Sequence, residues 1–453
     1  MLKALKRDRA FYGYLLRLTG PIALQNLITF SLGLIDTLMV SQLGNNEMAA
    51  VTAANVPVFL LISIVFGVQS GVGFLISQYW GKKDLPSISR AIGVAAGLGV
   101  ALALVIALAL FLWPVQIMDL MSNKHHLSLL GAPYLRVIGF SYVFNMLSSI
   151  YVSAQRSVEN ASFGMKLFGM STVLNTGMNY LLIFGKCGFP MLGVEGAAIA
   201  TVISRYVELA IVAGWTHSHK ARNAFIVGAY RSMYIPGKLL RSITIKGMPL
   251  LVNEFLWSSG MAVLSQCYST CGLDVVPAMN ICSTLFNLGS VVYLSMGNSV
   301  GIIMGQMLGA GHSEEDVRDT NRKLIAVSIA SGVVFGGLMA AVSEAFPGIY
   351  NTTDAVRHLA AQLIWISAVM MPFGSYLNAT YFTLRSGGQT FVTFLFDSCF
   401  MWVFCVPLAF GLSRFTSLPI LPLYAICQAT DFIKCIIGTV MLKQGKWIQN
   451  LTV

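Results

Sequence analysis

Residues 21–44 read PIALQNLITFSLGLIDTLMVSQLG, and residues 249–272 read PLLVNEFLWSSGMAVLSQCYSTCG. A shift of 228 positions (249 minus 21) superposes the two stretches without a gap, and the match continues downstream. The chain therefore contains an internal repeat. The residues that coincide are Pro21 with Pro249, Ser31 with Ser259, Ser41 with Ser269, Gly44 with Gly272, Gly73 with Gly301, Gln78 with Gln306, and Gly81 with Gly309.

The composition of the 453 residues is that of a membrane protein. Hydrophobic residues make up 56% of the chain and charged residues only 10%, and the mean hydropathy is +0.72. So few charges cannot cover the surface of a soluble domain. Apolar runs long enough to cross a bilayer recur along the whole length. The sequence therefore predicts an all-α integral membrane protein.

About twelve apolar runs have the length of a transmembrane helix, six in each copy of the repeat. An even number of spans gives both copies the same orientation, so we expect two pseudo-symmetric six-helix lobes. Duplicated bundles of this kind are common among secondary transporters. The predicted spans are residues 14–40, 49–79, 90–113, 128–154, 163–184, 194–216, 243–270, 275–307, 324–346, 356–383, 390–412 and 418–442.

A single long basic and polar stretch, residues 217–242, separates the two sets of spans. We expect it to be a cytoplasmic linker. It would join an N-terminal six-helix lobe, residues 1–216, to a C-terminal six-helix lobe, residues 243–453.

The net charge of +11 reflects the topology of the chain rather than an affinity for nucleic acid. With the N-terminus inside, most Lys and Arg residues fall in inner segments, and Arg156 and Arg385 are assigned there. Residues 1–17 are basic and lead into a full-length span, so no cleaved signal is expected. We expect a multi-pass protein of the inner (cytoplasmic) membrane with both termini in the cytoplasm.

Asp36 is the clearest candidate for a functional charge inside the membrane. It lies in the outer half of the first span, in FSLGLIDTLMV at residues 30–40, with no basic residue within a turn or two. An ionisable group in a span is costly and marks a functional site by default. A carboxyl group there either takes up a proton or binds a cation, and both suit ion coupling; the alternative is a carboxyl group that only hydrogen-bonds a neighbouring helix.

Polar residues of the fifth and sixth spans could complete a site around such a carboxylate. Asn175 and Asn179 are one helical turn apart, and Thr201 lies on the next span. Amide and hydroxyl oxygens are hard ligands suited to Na⁺, or a polar surrounding for a protonated carboxyl group. Taken alone, two Asn residues on a span are more often interhelical hydrogen-bonding groups.

Further charged residues lie in the other spans. Glu254 falls opposite Asn26 in the repeat and is expected to be a second proton site, a contact for a cationic substrate, or a carboxylate solvated at the inner mouth. Two pairs with a spacing of three residues can neutralise one another on a helix, and we interpret both as structural. The role of Asp397 is left open. The pairs are Arg205 with Glu208 and Asp431 with Lys434.

Glycine recurs every four residues on the eighth span, at Gly297, Gly301, Gly305 and Gly309. Such a row lines one face of a helix and lets a neighbouring backbone approach closely. The pattern predicts tight helix packing, and the same surface would also let helices slide.

The chain resembles the multidrug and toxic compound extrusion (MATE) family of transporters over nearly its whole length. The residues and stretches that carry the resemblance are Pro21 with Asp36 and Ser41-Gln42-Leu43-Gly44, GVGFLISQYWGKKD at 71–84, LNTGMNYLLIFG at 174–185, GVEGAAIAT at 193–201 and LRSGGQT at 384–390.

This resemblance implies drug export driven by Na⁺ or H⁺ entry, with alternating access of two six-helix lobes. In members of the family, a cation site is formed at the positions of Asp36, Asn175, Asn179 and Thr201. Some members carry Asp where this chain has Asn179, so a single carboxylate would serve the coupling here. Another group has an Asp in the tenth span, where this chain reads VMMPFGSYLNATYF at 369–382 without a carboxylate.

We therefore expect a secondary active antiporter that exports amphipathic organic cations and drugs, not an enzyme. Na⁺ or H⁺ would be the coupling ion, and no cofactor is expected. Glu254 resembles a seventh-span Glu of the family. Expected partners are small cationic or amphipathic molecules and membrane lipid, with no nucleic acid, and the protein is expected to be a monomer.

Two other functions compete with drug export. A lipid-linked oligosaccharide flippase would have a similar fold, but it is expected to carry more basic residues in its cavity to bind pyrophosphate. Arg205 and Lys434, the basic residues within the predicted spans, each have a local acid. A membrane enzyme is disfavoured because the chain has neither a paired Asp-rich motif nor an H-E-x-x-H motif.

Overall fold

The computed structural model describes residues 9–121, 125–228 and 237–452, and no strand is found among them. Twelve helices are long, and α4 has only eight residues. The helices are α1 Arg9–Ser41, α2 Asn45–Gly81, α3 Leu85–Leu112, α4 Pro114–Met121, α5 His125–Ser157, α6 Ala161–Phe184, α7 Gly193–Ser218, α8 Gly237–Ser269, α9 Val275–Ala310, α10 Glu314–Ala341, α11 Asp354–Ser386, α12 Thr390–Phe415 and α13 Ile420–Gln444.

The long helices confirm the predicted all-α membrane fold. Eleven of them are long and apolar enough to cross a bilayer within the described residues. The twelfth long helix, α8, has 33 residues but is less apolar, with the polar residues Asn253 and Glu254 inside it. Large apolar side chains such as Val105, Val173 and Val403 are more than half exposed, as expected of a surface that faces lipid. The short α4 is an addition that the sequence did not predict.

The ends of several helices follow from local sequence. Asp84 caps α3 by accepting a hydrogen bond from the Ser87 backbone N–H at 3.1 Å, and Pro86 lies in the first turn. Ser313 caps α10 in the same way. Gly185 ends α6 with a φ of 64°, a left-handed conformation that glycine adopts readily.

The described helices form two compact units. The N-unit contains residues 24–247, and the C-unit contains residues 9–23 and 248–452. The boundaries fall within α1 and α8, close to Pro21 and Pro249, which are matched in the repeat. A proline inside a helix removes a backbone hydrogen bond and favours a bend, so both helices are weakest near these boundaries.

Each unit has its own apolar core. Ile76, Ile92 and Ile150 are fully buried in the N-unit. Leu363 and Leu423 are fully buried in the C-unit. Helices α5 and α11, the fourth spans of the two copies, both contribute to these cores.

The proposed linker, residues 217–242, includes residues 229–236, which lie outside the described residues. Its described part contains the end of α7, a 3₁₀ turn at Ala224–Ile226 and the start of α8. The lobe boundaries at residues 1–216 and 243–453 stay predictions.

The glycine row of α9 packs against α11. A Cβ atom at Gly301 would lie 3.1 Å from Cδ1 of Phe382, and Gly297 faces Asn378 and Phe382. The absence of side chains on this face lets the two helices approach closely. Tight packing is therefore the role that the contacts support.

Two arginines occupy positions that differ from those expected. Arg156 lies in the last turn of α5 and Arg385 in the last turn of α11, and both are buried. Both helices therefore extend beyond the predicted spans 128–154 and 356–383, while the assignment of the two arginines to the inner side stays a prediction. The polar last turns continue beyond the apolar runs because they pack against other helices. In α5, for example, the Ser157 hydroxyl donates a hydrogen bond to the Gly73 carbonyl oxygen of α2 at 2.9 Å.

Candidate cation site and charged clusters

A carboxylate of α1 meets a row of polar side chains from α6 and α7 within the N-unit. Asn179 Nδ2 donates to Asp36 Oδ1 at 2.6 Å and to Asn175 Oδ1 at 3.0 Å. Asn175 Nδ2 donates in turn to Thr201 Oγ1 at 3.4 Å. The structure thus brings the four residues of the predicted site together, and we call them the Asp36 row.

The geometry of three helices places these side chains. Asn175 and Asn179 are one turn apart and share a face of α6. Both are buried, whereas Asp36 and Thr201 are partly exposed. Helix α7 approaches α6 closely because a Cβ atom at Gly196 would lie only 2.6 Å from a backbone oxygen of α6. Buried amides need partners, and the row supplies them.

The Asp36 carboxylate accepts an amide hydrogen bond but has no basic partner. In the part of the chain that the structure describes, no ion pair within 4.0 Å involves Asp36. An amide carries no net charge, so no directly bound group neutralises the negative charge of Asp36. A proton or a bound cation would remove this cost.

Oxygen atoms of the row are suited to a monovalent cation. Asn179 Oδ1 is enclosed and has no hydrogen-bond partner. Together with the carboxylate and the Thr201 hydroxyl it offers hard oxygen ligands. Within residues 9–121, 125–228 and 237–452, no group of three or more His, Cys, Asp or Glu side chains could hold a metal ion. With one anionic group, the row fits Na⁺ or a proton better than a divalent metal.

Glu208, a second carboxylate of the N-unit, is fully paired. It accepts hydrogen bonds from Arg205 Nη1 at 2.7 Å, Ser148 Oγ at 2.6 Å and Ser171 Oγ at 3.0 Å. Its side chain is 0% exposed. Donors from α5, α6 and α7 therefore satisfy both oxygens, which supports a structural role for this pair.

Glu254 of α8 is bound by an arginine of α11 within the C-unit. Arg385 Nη2 donates to Glu254 Oε1 at 2.8 Å. The guanidinium carbon lies 3.8 Å from the centre of the Tyr381 ring, a cation–π contact. The Arg385 side chain is 1% exposed. The guanidinium group of Arg385 thus balances the charge of Glu254, for which a proton, a cationic substrate or solvent was expected.

Lys434 lies between two carboxylates of the C-unit. Its Nζ is 3.8 Å from Asp397 Oδ1 and 3.6 Å from Asp431 Oδ1. Asn253 Nδ2 donates to Asp397 Oδ2 at 3.2 Å. Asp397 lies in a π-helical turn of α12, Leu395–Cys399. The pair expected from sequence spacing is therefore part of a larger cluster that also includes Asp397.

Sequence reasoning missed the partners that come from other spans. Ser148, Ser171, Asn253 and Tyr381 are common residue types, and nothing in their spacing marks them. A signal existed for Arg385, because the LRSGGQT stretch follows a predicted span directly. A charge so close to an apolar run can belong to the last turn of its helix.

The stretch GNSVG at 297–301 has the G-x-S-x-G spacing of a hydrolase motif. It lies inside the continuous helix α9. Ser299 Oγ accepts a hydrogen bond from Thr19 at 2.9 Å and donates to Ser295 O at 3.1 Å. A nucleophile elbow requires a strand-to-helix turn, so the stretch does not form one.

Comparison with known proteins identifies one family. The family model MatE matches residues 21–181 and 249–410. These two ranges begin at the matched prolines of the repeat and together cover more than half of the chain.

Relatives match the chain along most of its length. It is 25% identical over 411 residues to the probable multidrug resistance protein YoeA of Bacillus subtilis, with 88% of this chain and 87% of that protein covered. It is 20% identical over 438 residues to the probable multidrug resistance protein NorM of Thermotoga maritima, with 96% and 92% covered. A solved multidrug resistance MATE family transporter of the MOP superfamily, in an outward-facing conformation, has a TM-score of 0.86 at 18% identity, with 96% of each chain covered. That structural likeness concerns the fold alone.

Proposed function

Because the chain belongs to the MatE family, we propose that it exports amphipathic organic cations, including drugs, in exchange for Na⁺ or H⁺. The family match confirms the resemblance seen in the motifs, and the chain is a multi-pass membrane transporter. The names of its relatives, which are multidrug resistance proteins, support a drug substrate and a transport role rather than a catalytic one.

The contact between Asp36 and Asn179 carries the proposed coupling. Asp36 Oδ1 accepts from the amide at 2.6 Å, and no ion pair of this carboxylate is found in the described residues. A cation that binds beside Asn179 Oδ1, or a proton on Asp36, would neutralise the charge. A proton on Asp36 removes the charge assistance of the hydrogen bond that ties α1 to α6, and a cation bound to the carboxylate competes with the amide for its oxygens.

We propose that the ion enters from outside and drives the cycle through this change in α1. Release of Asp36 from Asn179 lets the part of α1 after Pro21 repack. The ion drives transport only if it binds the two conformations with different affinity. Substrate leaves outward when the carboxylate is neutral, and the ion then leaves inward.

Several further features belong to the same proposal. The lobes at residues 1–216 and 243–453 would alternate in access, with residues 217–242 as a cytoplasmic linker. The protein would be a monomer in the inner membrane, surrounded by lipid, with both termini in the cytoplasm. The excess of basic residues in the inner segments supports this orientation. Substrates would combine a positive charge with an apolar body.

Glu254 has a different part in this proposal. Its carboxylate is already compensated by Arg385 at 2.8 Å. A role as a substrate contact or second proton site therefore requires Arg385 to leave it first. We assign Glu254 to positioning α8 against α11, with a substrate or proton contact only in a conformation that opens this pair.

Paired basic residues favour cation export over a lipid-linked oligosaccharide flippase. Arg205, Arg385 and Lys434 each have a carboxylate partner. A pyrophosphate group would have to compete with these partners. Arg156 is the exception, because its side chain has no carboxylate partner among the described residues.

Ethidium efflux from a host that lacks its own pumps tests the proposal. Asp36→Asn removes the titratable charge but keeps the shape of the side chain, and we expect efflux at the rate of the empty host. Glu47→Gln, which neutralises a partly exposed carboxylate in the first turn of α2, is the matched control and should export normally. Equal amounts of protein in the membrane must be verified. Normal efflux by Asp36→Asn would refute the assigned role of Asp36.

A further inference from the structure

The repeat places an arginine at the same position in both copies. Arg156 and Arg385 lie in the last turns of α5 and α11. A shift of 229 positions (385 minus 156) superposes the two helices at both ends. The serine that follows each arginine coincides as well.

The partner of this arginine differs between the copies. In the C-unit, Arg385 donates to the Glu254 carboxylate at 2.8 Å. The shift of 228 positions that relates α1 to α8 places Asn26 where Glu254 stands. The N-unit therefore has an amide at the position that supplies the counter-charge in the C-unit.

Arg156 is buried without a counter-charge. It is 9% exposed, and its Nε is enclosed without a hydrogen-bond partner. Among the described residues its side chain has no hydrogen bond, ion pair or aromatic ring contact, and Asp8 is the one acidic residue outside them. A buried guanidinium group without an anion is costly in free energy. At the equivalent position of the other copy, Arg385 is paired with a carboxylate.

Contacts one turn before Arg156 bring α5 to the α1 segment that carries Asn26. Val152 is one turn before Arg156 on the same face of α5. A Cβ atom at Gly164 of α6 would lie 3.1 Å from Cγ1 of Val152 and 2.9 Å from Oε1 of Gln25. Helices α1, α5 and α6 therefore meet at Gln25, the residue before Asn26, one turn from Arg156 along α5.

We propose that Arg156 binds an oxyanion, a carboxylate or a phosphate, in the role that the Glu254 carboxylate has in the other copy. The N–H groups of a guanidinium match the two oxygens of such a group in a bidentate geometry. The anion comes either from the phosphate of a membrane lipid or from a soluble acid. This site is separate from the Asp36 row and does not depend on cation-driven drug export.

Substitutions at Asn26 test the site while Arg156 stays in place. Asn26→Glu supplies the carboxylate that the other copy has, and Asn26→Gln is the matched neutral control of the same length. Arg156→Gln removes the guanidinium group itself. One arm titrates the protein in phosphatidylcholine nanodiscs with inorganic phosphate, and the other compares these discs with discs that contain phosphatidylglycerol. The thermal midpoint reports stabilisation, and native mass spectrometry counts retained anionic lipid.

We expect the wild type and Asn26→Gln to be stabilised by the anion, and Asn26→Glu and Arg156→Gln to bind it about tenfold more weakly. Asn26→Glu should also raise the thermal midpoint without any anion. Stabilisation by phosphatidylglycerol alone identifies a lipid source, and stabilisation by inorganic phosphate identifies a soluble one. No stabilisation of the wild type in either arm would overturn the proposal, as would an equal response of Asn26→Glu and Asn26→Gln. If Arg156→Gln does not fold, the comparison of Asn26→Glu with Asn26→Gln decides whether the site binds an anion.

Discussion

Asp36 of α1 accepts a hydrogen bond of 2.6 Å from the side-chain amide of Asn179 on α6. The carboxylates of Glu208 and Glu254 are instead bound by arginines, at 2.7 Å and 2.8 Å. An amide orients a carboxylate without neutralising it, whereas an arginine does both. This contrast is the reason for assigning ion coupling to Asp36 rather than to the other two.

The variant Asn179→Asp adds a second carboxylate beside Asp36. We expect Na⁺ to bind at least about tenfold more tightly, because a second negative charge near the ion adds a direct Coulombic attraction. Calorimetric titration of the purified protein with NaCl at constant ionic strength measures the affinity. Asn179→Leu removes the oxygen donor and should bind Na⁺ more weakly than the wild type. An affinity that is the same in all three proteins would show that the ion binds elsewhere.

Glu208→Gln leaves the partly buried Arg205 without its carboxylate partner. We expect a loss of about 3–5 kcal/mol in stability, because removal of one member of a buried pair leaves an uncompensated charge. The thermal midpoint of the purified protein measures the loss. The double variant Arg205→Gln with Glu208→Gln is the control and should recover part of the stability, because no lone charge remains. A Glu208→Gln protein that melts like the wild type would argue against a structural pair.

Arg385→Lys tests whether the geometry at Glu254 depends on the guanidinium group. Lysine keeps the positive charge but loses both the planar donor fork and the stacking on Tyr381 at 3.8 Å. We expect the thermal midpoint to fall, by less than in Arg385→Gln. When Glu254→Gln is added to Arg385→Gln, the thermal midpoint should fall only slightly further, because the two residues act as a pair. Additive losses would mean that Glu254 has another partner.

Gly196→Ala tests the close approach of α7 to α6. The added Cβ would lie 2.6 Å from a backbone oxygen of α6, so one helix has to shift, at a cost of about 1–3 kcal/mol. Gly177→Ala is the matched control on α6, because a Cβ atom there meets nothing within 4 Å. We expect Gly196→Ala to lower both the thermal midpoint and efflux, and Gly177→Ala to leave both unchanged. Equal behaviour of the two variants would contradict the packing described for the Asp36 row.

The spans could be predicted from the sequence because length and apolarity decide whether a segment crosses a bilayer. The eight residues of α4 are too few for a periodic signal to appear. The last turns that hold Arg156 and Arg385 were missed for a different reason. Their side chains are polar, and packing against other helices rather than apolarity keeps them helical.

Local spacing explains only part of the candidate sites. Arg205 and Glu208 are three residues apart, so helix geometry alone predicts their contact. Glu254 and Arg385 are 131 residues apart, and no pattern in a single span indicates that they meet. The grouping of Asp36 with Asn179 rested on the family resemblance, because the two residues are 143 positions apart. Contacts between distant spans are set by tertiary packing, which a single sequence does not display.

Ion-driven transport by the protein in proteoliposomes tests the central claim most directly. A Na⁺ gradient at equal pH, and then a pH gradient without Na⁺, would be imposed on vesicles loaded with ethidium. The wild type should move ethidium under at least one of these gradients, and Asp36→Asn under neither, although it still binds ethidium. Gradient-driven transport by Asp36→Asn at the rate of the wild type would contradict the assignment of coupling to Asp36.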